Sequence, residues 1–391
     1  MLDLFKRFID FPDIRQLDFY LVSLILLTTI FGLVAVATSS IYFSDTLTGD
    51  PFYFFYKQLF HFFLGLIVAF FILCLPLQIW ENYDRHLLLL GILGLSLVFF
   101  PGIGVEVKGS NRWINLFGFT LQPSEIMKFV LLVYVSAHSV RRIQDLQSNW
   151  FGFLRPAILI VLVISLILIQ PDLGTPVVIF SSVLAVLFLA GVNIKQFLLV
   201  IFLGVLSIFA LIFFEPYRWQ RIISFLDPWA DASDTGYQLT QSLMAISRGD
   251  WFGVGLGEGM WKMGHLPDAH TDFIFSVIIE EMGLLTSFFL LLLIFGIVIR
   301  LIQIGNRALE KKHFFGYFFS YGSSVLIGLQ TIINVGVSTG MLPTKGLTLP
   351  FVSYGGTNLL VLYALIGLVL RSDYETKTSM PLLNINRRVR F

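Results

Sequence analysis

Long apolar runs separated by polar segments recur along almost the whole chain. Most of them approach the roughly 17–25 residues that a helix needs to cross a hydrocarbon core of about 30 Å. The longest polar interruption, at 215–271, leaves seven runs before it and three after it. The pattern predicts ten transmembrane helices, at 17–40, 54–77, 86–101, 122–139, 154–170, 174–191, 195–214, 272–299, 314–341 and 353–370.

The amino-acid composition agrees with this pattern. Of the 391 residues, 56% are hydrophobic and 13% are charged, whereas about a quarter of the residues in a soluble domain are charged. The mean hydropathy is +0.83. We therefore predict an all-α polytopic membrane protein that forms a single membrane domain over residues 1–391. The net charge of +1 argues against a nucleic-acid partner.

The distribution of Lys and Arg predicts the orientation. An even number of spans places both termini on the same side of the membrane. Most of the 26 Lys and Arg residues fall on segments that are cytoplasmic if the N-terminus is cytoplasmic, which is the side that basic residues favour. Residues 1–16 and 372–391 are therefore predicted to be cytoplasmic, the latter as a disordered tail or as a segment lying against anionic headgroups. No small-residue cleavage site follows the first apolar run, so we expect it to be a retained span and not a signal peptide.

Four polar segments fall on the opposite, extracytoplasmic face, at 102–121, 170–174, 215–271 and 342–356. The largest is the loop between the seventh and eighth predicted spans. It contains an amphipathic stretch from Tyr237 to Ile246 and several aromatic residues, both of which could lie on the bilayer surface. This face is where the chain concentrates its polar groups.

Asp272 is the strongest candidate for chemistry, because it stands where the polar loop meets the eighth apolar run. A carboxylate at a membrane boundary is costly, so such residues are functional candidates. Thr271 could cap a helix that starts here, which would place Asp272 in the first turn, where the helix dipole favours an anion. Glu280 would lie about 12 Å further along that helix and about 80° around it, too far to form a tight carboxylate pair with Asp272.

Glu125 and Lys128 are three residues apart at the start of the fourth predicted span, so they share a helix face and can pair. Two interpretations of this pair are open. It is either a structural ion pair that makes two inserted charges tolerable, or it presents a cation to an anionic lipid headgroup.

The glycine-rich stretch from Gly253 to Gly259 resembles a phosphate-binding loop in composition only. It lacks the strand, helix and Gly-Lys-Ser/Thr of a nucleotide site, so a turn with close backbone approach is the better interpretation. His265 and His270 are five apart across Pro267, which does not predict a protein-built zinc site. The loop is locally cationic through Arg218, Arg221, Arg248 and Lys262, which could bind phosphate or simply face solvent.

Five motifs then resemble, in order, the signatures of the SEDS family, the RodA/FtsW/SpoVE group. The resemblance covers residues 15–372, and it is closer to the division branch of the family than to the elongation branch in Pro267–His270 and Gly340–Leu347. The motifs are Asn111-Arg112-Trp113-Ile114, Gln122-Pro123-Ser124-Glu125, Gln170-Pro171-Asp172-Leu173-Gly174-Thr175, His270-Thr271-Asp272-Phe273-Ile274-Phe275 and Leu349-Pro350-Phe351-Val352-Ser353-Tyr354-Gly355-Gly356.

This resemblance implies a ten-helix glycosyltransferase of the bacterial inner membrane that polymerises lipid II into peptidoglycan. It further implies a class B penicillin-binding transpeptidase partner (FtsI-like), other divisome proteins, and a location at the division septum. The family's essential acid falls on Asp272. Relatives often carry Arg where this chain has Thr120, which puts a cation at that position in doubt. The predicted substrate-binding residues are Arg112, Trp113, Gln122, Glu125, Lys128, Arg218, Arg248, Lys262, His270, Lys345 and Ser353.

The predicted reaction is a single inversion that needs one positioned base, Asp272. The basic residues, with Mg²⁺ or Mn²⁺ as a candidate cofactor, would neutralise the leaving pyrophosphate. No organic cofactor is expected. Two alternatives stay open, a lipid II flippase or transporter and a non-catalytic divisome scaffold. Only Glu280 and Glu281, which lie inside an apolar run, favour the flippase.

Overall fold

A computed structural model describes residues 10–107, 110–116, 119–148, 150–170, 172–214 and 216–378. After a short 3-10 turn at Ile14–Gln16, fourteen helices and three strands follow in this part of the chain. They are α1 (Phe19–Ser39), α2 (Ile41–Thr48), α3 (Tyr53–Leu73), α4 (Leu77–Leu97), β1 (Gly104–Val107), β2 (Ser110–Leu116), β3 (Phe119–Leu121), α5 (Pro123–Arg141), α6 (Ile143–Ser148), α7 (Trp150–Ile169), α8 (Gly174–Leu189), α9 (Ile194–Phe213), α10 (Pro216–Leu226), α11 (Tyr237–Gly249), α12 (Ile274–Glu310), α13 (Phe314–Ser338) and α14 (Gly356–Thr378).

Every predicted span overlaps one helix of this set, and the polytopic helical class is confirmed. The third span was predicted at 86–101, but α4 begins well before it, at Leu77. Seven helices in the described residues are long and apolar enough to cross a membrane: α1, α3, α7, α9, α12, α13 and α14. Helices α4 and α5 carry more polar residues, and α8 has 16 residues, or about 24 Å of rise. The count of ten spans therefore stays a prediction.

Helix α14 lies at the centre of the bundle, where it packs against α3, α5, α12 and α13. Its contact with α3 is close because small residues face each other. A Cβ at Gly367 would stand 2.6 Å from the carbonyl oxygen of Ala69. Small residues of this kind let helix backbones approach each other in membrane proteins. The helix also continues to Thr378, so the predicted tail begins later than residue 372; residues 379–391 lie outside the described part of the chain.

Helix α12 is broken at Gly283, which has φ 82° and ψ 171°. The residues after α11 run along the break and satisfy the backbone groups that it releases. Val254 and Gly255 donate their N–H groups to the carbonyls of Glu280 and Glu281, at 2.9 and 3.0 Å. The predicted continuous span at 272–299 is therefore wrong in one respect: residues 274–282 form a separate arm, and the straight helix begins after Gly283.

Within the segment at 102–121, predicted as a loop, the strands β1, β2 and β3 form a small antiparallel sheet in that order. Trp113 on the central strand pairs with Val105, and Asn115 pairs with Thr120. The sheet gives Arg112 and Trp113 fixed positions in front of α5. No strand was predicted because the segment is short and rich in glycine.

Helix α11 packs on protein, against α12 and α13. The Ser242 hydroxyl lies 2.6 Å from that of Ser276 and 2.7 Å from the carbonyl of Ser338. The expectation that this amphipathic stretch lies on the bilayer is wrong, because its apolar face and its buried hydroxyl find partners inside the bundle.

At the face of the bundle predicted to be cytoplasmic, ion pairs join the ends of three helices. Asp18 pairs with Arg300 and Arg307, at 2.8 and 3.0 Å. Arg307 also reaches Asp373, which pairs in turn with Lys377. These bonds tie α1, α12 and α14 together at the face predicted to be cytoplasmic.

Candidate functional site

Asp272 lies in a turn immediately before α12, at the face of the bundle opposite to the ion pairs of Asp18 with Arg300 and Arg307. The helix begins at Ile274, after Phe273, and no side chain caps it. The hydroxyl of Thr271 donates to the carbonyl of Asp268 at 3.2 Å, within its own turn. The predicted Thr271 cap is therefore wrong, and Asp272 stands just outside the first helical turn.

Three successive carbonyls around Asp272 are each held by a different group. The N–H of Tyr354 donates to the carbonyl of His270 at 2.9 Å. The hydroxyl of Ser353 donates to that of Thr271 at 2.6 Å, and the side-chain amide of Asn334 donates to that of Asp272 at 2.8 Å. The backbone that carries the carboxylate is thus fixed at every residue. Asn334 was missed in the sequence because it is one of several polar residues on α13, and nothing in the sequence separates it from the others.

The Asp272 carboxylate is half-buried and faces Gly346. A Cβ at Gly346 would stand 3.0 Å from Asp272 Oδ2. Gly346 is exposed and Lys345 beside it is half-buried, so this side of the carboxylate opens to the surface. Arg221 on α10 donates to the carbonyl of Thr344 at 3.2 Å, which brings a second cation to the same segment. Gly346 belongs to the Gly340–Leu347 stretch quoted for the family resemblance, but no role was predicted for it, since nothing in the sequence shows that its backbone approaches the acid.

His270 and Ser353 help to hold the backbone of residues 270–272 in place. His270 is 6% exposed. Its ring stacks on Phe43 and lies at a tilt against Phe54, with centroids 5.0 and 5.1 Å away. Tyr354, which precedes α14, closes the same aromatic cluster. Burial, with a smaller contribution from Tyr53, raises the pKa of the Tyr354 phenol to about 12, so it stays protonated at neutral pH.

The Glu125–Lys128 pair lies inside the bundle, with N–O distance 2.7 Å and exposures of 6% and 1%. The Lys128 ammonium also reaches the side-chain oxygens of Gln330 and Asn358, at 3.3 and 3.5 Å. The structure therefore favours the structural ion pair over an ammonium exposed to lipid headgroups. The exposed-cation interpretation of Lys128 is contradicted because three oxygen ligands and the surrounding helices cover the charge.

Arg248 and Lys262 are also paired. Arg248 lies 2.8 Å from Glu280, which accepts a further bond from the backbone N–H of Met260. Lys262, 5% exposed, pairs with Glu281. These two acids stand on the separate arm of α12, bound by the loop, and do not line a path through the straight part of the helix. The observation that favoured a flippase is thereby removed. Lys262 is closed to a pyrophosphate in this structure, whereas the Arg248 side chain is 33% exposed beside its pair with Glu280.

The glycine-rich stretch is a turn with close backbone approach, as expected. Gly253, Gly255 and Gly257 all have positive φ. A Cβ at Gly253 would stand 2.2 Å from the carbonyl of Glu281. Gly253 therefore serves the contact between the loop and the arm of α12, whereas Gly255 and Gly257 serve the turn itself.

The remaining motifs converge on the segment at 342–356. Gly174 contacts Leu347, since a Cβ there would stand 2.8 Å from its side chain. Asp172 begins α8 by accepting bonds from the N–H groups of Gly174 and Thr175. The backbone N–H of Gln122 donates to the hydroxyl of Thr357 at 3.2 Å, one residue into α14.

Arg112 and Trp113 occupy β2, beside this convergence. Arg112 donates to the carbonyl of Gln170 at 2.8 Å, and both side chains are half-buried. Arg218, which was predicted to bind substrate, lies on α10, but its side chain is outside the part of the chain that the structure describes. The structure thus brings His270, Lys345 and Ser353 to Asp272, and it places Arg248, Lys262 and Lys128 in separate ion pairs.

No group of three or more His, Cys, Asp or Glu side chains that could hold a metal occurs among the residues that the structure describes. Asp272 alone does not make a metal cage. A divalent ion would need most of its ligands from the substrate.

Comparison with known proteins gives one consistent family. The model of the cell cycle protein family FtsW/RodA/SpoVE matches residues 18–378. A relative in Wigglesworthia glossinidia brevipalpis, named probable peptidoglycan glycosyltransferase FtsW, is 42% identical over 93% of this chain and 94% of its own. A protein of the same name in Coxiella burnetii is 45% identical over 88% of this chain and 93% of its own.

Solved structures agree. A chain of a peptidoglycan synthase complex that coordinates polymerization and crosslinking superposes with TM-score 0.75 and 28% identity, over 93% of this chain and 99% of that one. The rod shape determining protein RodA of Thermus thermophilus gives TM-score 0.67 and 26% identity, over 93% and 98%. The fold is therefore that of a polytopic membrane protein of the RodA type. The chain belongs to the FtsW/RodA/SpoVE family of cell cycle proteins, as its motifs predicted.

Proposed function

We propose that this protein is a peptidoglycan glycosyltransferase that polymerises lipid II into β-1,4 glycan strands, with Asp272 as the general base. The observation that carries the proposal is the half-buried Asp272 carboxylate, which opens to the surface over Gly346 on a backbone held at three consecutive carbonyls. Relatives more than 40% identical over most of the chain carry the name of this activity.

The reaction joins the 4-hydroxyl of an acceptor sugar to C1 of a donor sugar. As the C–O bond forms, Asp272 takes the hydroxyl proton, and the bond from C1 to the polyprenyl pyrophosphate breaks with inversion. The leaving group carries the electron pair away as phosphate oxygen charge. Binding both lipids at this face supplies the orientation that makes the attack effectively intramolecular.

Cations that face the pyrophosphate stabilise its developing charge. Lys345 and Arg221 are the best placed, since both belong to or bind the segment beside Asp272. Arg112 and Arg218 remain candidates on β2 and α10. Mg²⁺ or Mn²⁺ fits only as an ion held mainly by pyrophosphate oxygens, the way Mg²⁺ is commonly bound by substrate phosphates and few carboxylates.

A class B penicillin-binding transpeptidase (FtsI-like) is the proposed partner, together with other divisome proteins. The structural likeness to a chain of a complex that couples polymerization to crosslinking supports a transpeptidase partner. The proposed location is the bacterial inner membrane at the division septum, with both termini cytoplasmic and residues 215–271 outside the cell membrane.

The test is polymerisation of labelled lipid II by the purified protein with its transpeptidase partner. Wild-type protein should give glycan chains, and Asp272→Asn should lower the rate at least about 100-fold. Asp250→Asn removes an exposed carboxylate from the loop after α11 with almost no change in side-chain shape, and should keep the rate. A flippase or a scaffold would give no polymer with the wild-type protein, and full activity of Asp272→Asn would exclude Asp272 as the base.

A further inference from the structure

Asn334 lies on α13 and is 1% exposed. Its amide nitrogen donates to two carbonyls, that of Asp272 at 2.8 Å and that of Leu347 at 2.6 Å. Because a side-chain amide nitrogen carries two N–H groups and the amide oxygen none, two carbonyl acceptors define which end of the group faces them. The side chain therefore bridges two backbone segments that are far apart in the chain.

These two segments meet at the carboxylate. Gly346 precedes Leu347 and lies against Asp272 Oδ2. The bonds to His270 and Thr271 come from residues 354 and 353 of the same segment, whereas the bond to Asp272 itself comes from a transmembrane helix. Asn334 thus fixes the positions of the Asp272 and Leu347 backbones relative to each other and to α13.

Gln330 continues this arrangement one helical turn earlier on the same face of α13. Its amide nitrogen donates to the carbonyl of Thr348 at 2.9 Å, and its amide oxygen accepts from Lys128 at 3.3 Å. The Lys128 charge therefore orients the Gln330 amide, since an ammonium can only donate. The buried ion pair of α5 and the 347–348 backbone are connected through α13.

We infer that Asn334 is a positioning residue for the reaction proposed above. It acts through the backbone of Asp272 and Leu347 and holds the base at the distance that the acceptor hydroxyl requires. The inference rests on the proposed function, but it assigns a task to a side chain that contacts neither the reacting atoms nor the carboxylate.

A displacement of about 1 Å in a catalytic group can lower a rate about 100-fold. Asn334→Leu keeps the approximate volume and removes both donors, so kcat per folded protein should fall about 100-fold while KM for lipid II stays within about threefold. Asn334→Ser keeps one shorter donor and should give an intermediate kcat. The acid limb of the pH dependence of kcat should also move in both variants, because the surroundings of the Asp272 carboxylate change.

The experiment measures kcat, KM and the pH profile of polymerisation with the full chain and its transpeptidase partner, on labelled lipid II, per folded protein. Tyr363→Phe is the matched control: it removes a buried bond of 3.1 Å to Thr29, between α14 and α1, away from Asp272. It should leave all three quantities unchanged.

A fall in kcat at constant KM in Asn334→Leu, or in Asn334→Ser if the first variant does not fold, supports the inference. A kcat within threefold of wild type, or an effect confined to KM, overturns it while the proposed function stands. Absence of polymer from the wild-type protein overturns the proposed function and this inference together.

Discussion

Lys262 and Glu281 form a buried ion pair between the 250–264 loop and the separate arm of α12, with side-chain exposures of 3% and 2%. Both charges are neutralised inside the protein. The pair, with Arg248 and Glu280 beside it, fastens the loop to the arm that begins two residues after Asp272.

Lys262→Met should destabilise the protein by about 3–5 kcal/mol, because it leaves the Glu281 carboxylate buried without a counter-charge. Lys262→Met/Glu281→Leu should recover most of that loss, since the unpaired charge is gone. The measurement is thermal or denaturant unfolding of the purified protein in detergent.

The control for this prediction is Arg142→Ala. Arg142 and Asp145 form an i,i+3 pair with exposures of 49% and 40%, and exposed pairs contribute about 0–1 kcal/mol. Equal losses for the exposed and the buried pair would contradict the structural role given to Lys262.

Gly346→Ala should lower kcat about 10-fold, and Gly346→Val should lower it further, because a Cβ there would press on Asp272 Oδ2 at 3.0 Å. Stability should change little, as the position is exposed and lacks a positive φ. Gly355→Ala is the matched control, since its Cβ would meet Thr348 at an ordinary 3.5 Å. An unchanged kcat in Gly346→Val would show that the carboxylate does not work from this side.

Gly283→Ala should destabilise the protein by at least about 1 kcal/mol. Its φ of 82° disfavours any Cβ, and the added atom would stand 2.4 Å from the carbonyl of Trp251. Gly328→Ala, in the interior of α13 with its nearest neighbour at 3.8 Å, should instead stabilise by about 0.5–1 kcal/mol. Unfolding midpoints measured together would distinguish the two, and a shift of the same sign would argue against the break in α12.

Replacement by Met should lower stability at Lys128 and raise KM for lipid II at Lys345. Lys128→Met leaves Glu125 unpaired in the bundle and should lower stability by about 3–5 kcal/mol. Because Lys128 is 1% exposed, KM for lipid II should not change in the protein that folds. Lys345→Met should raise KM with little loss of stability. A raised KM in Lys128→Met at normal stability would restore its substrate-binding role.

The positions of the spans and of Asp272 could be predicted because each depends on a local signal. Apolar runs define the helices, and a lone acid at a polar boundary stands out. The break at Gly283 could not be predicted, because a glycine within an apolar run is compatible with a continuous helix. Its effect depends on the bonds from Val254 and Gly255, which come from a different part of the chain.

The ion-pair partners of Arg248 and Lys262 could not be predicted from the sequence either. Arg248 and Lys262 are residue types that bind phosphate, and only the folded structure shows that Glu280 and Glu281 neutralise them. The Glu125–Lys128 pair was one of two interpretations that the spacing left open, and burial decides between them. Asn334 gave no signal at all, since its two acceptors are main-chain carbonyls and every residue has one. The family motifs located the segments that meet, but the bonds between them follow from tertiary packing.

The break in α12 has a consequence for how the outer loop behaves in deuterated solvent. The amides of Val254, Gly255, Leu284 and Leu285 are all engaged between loop and helix, so they can exchange only when the two separate. Amides in such contacts take on the protection of the unit to which they bind. Residues 254–255 should therefore exchange together with the start of the straight helix and much more slowly than an ordinary surface connection.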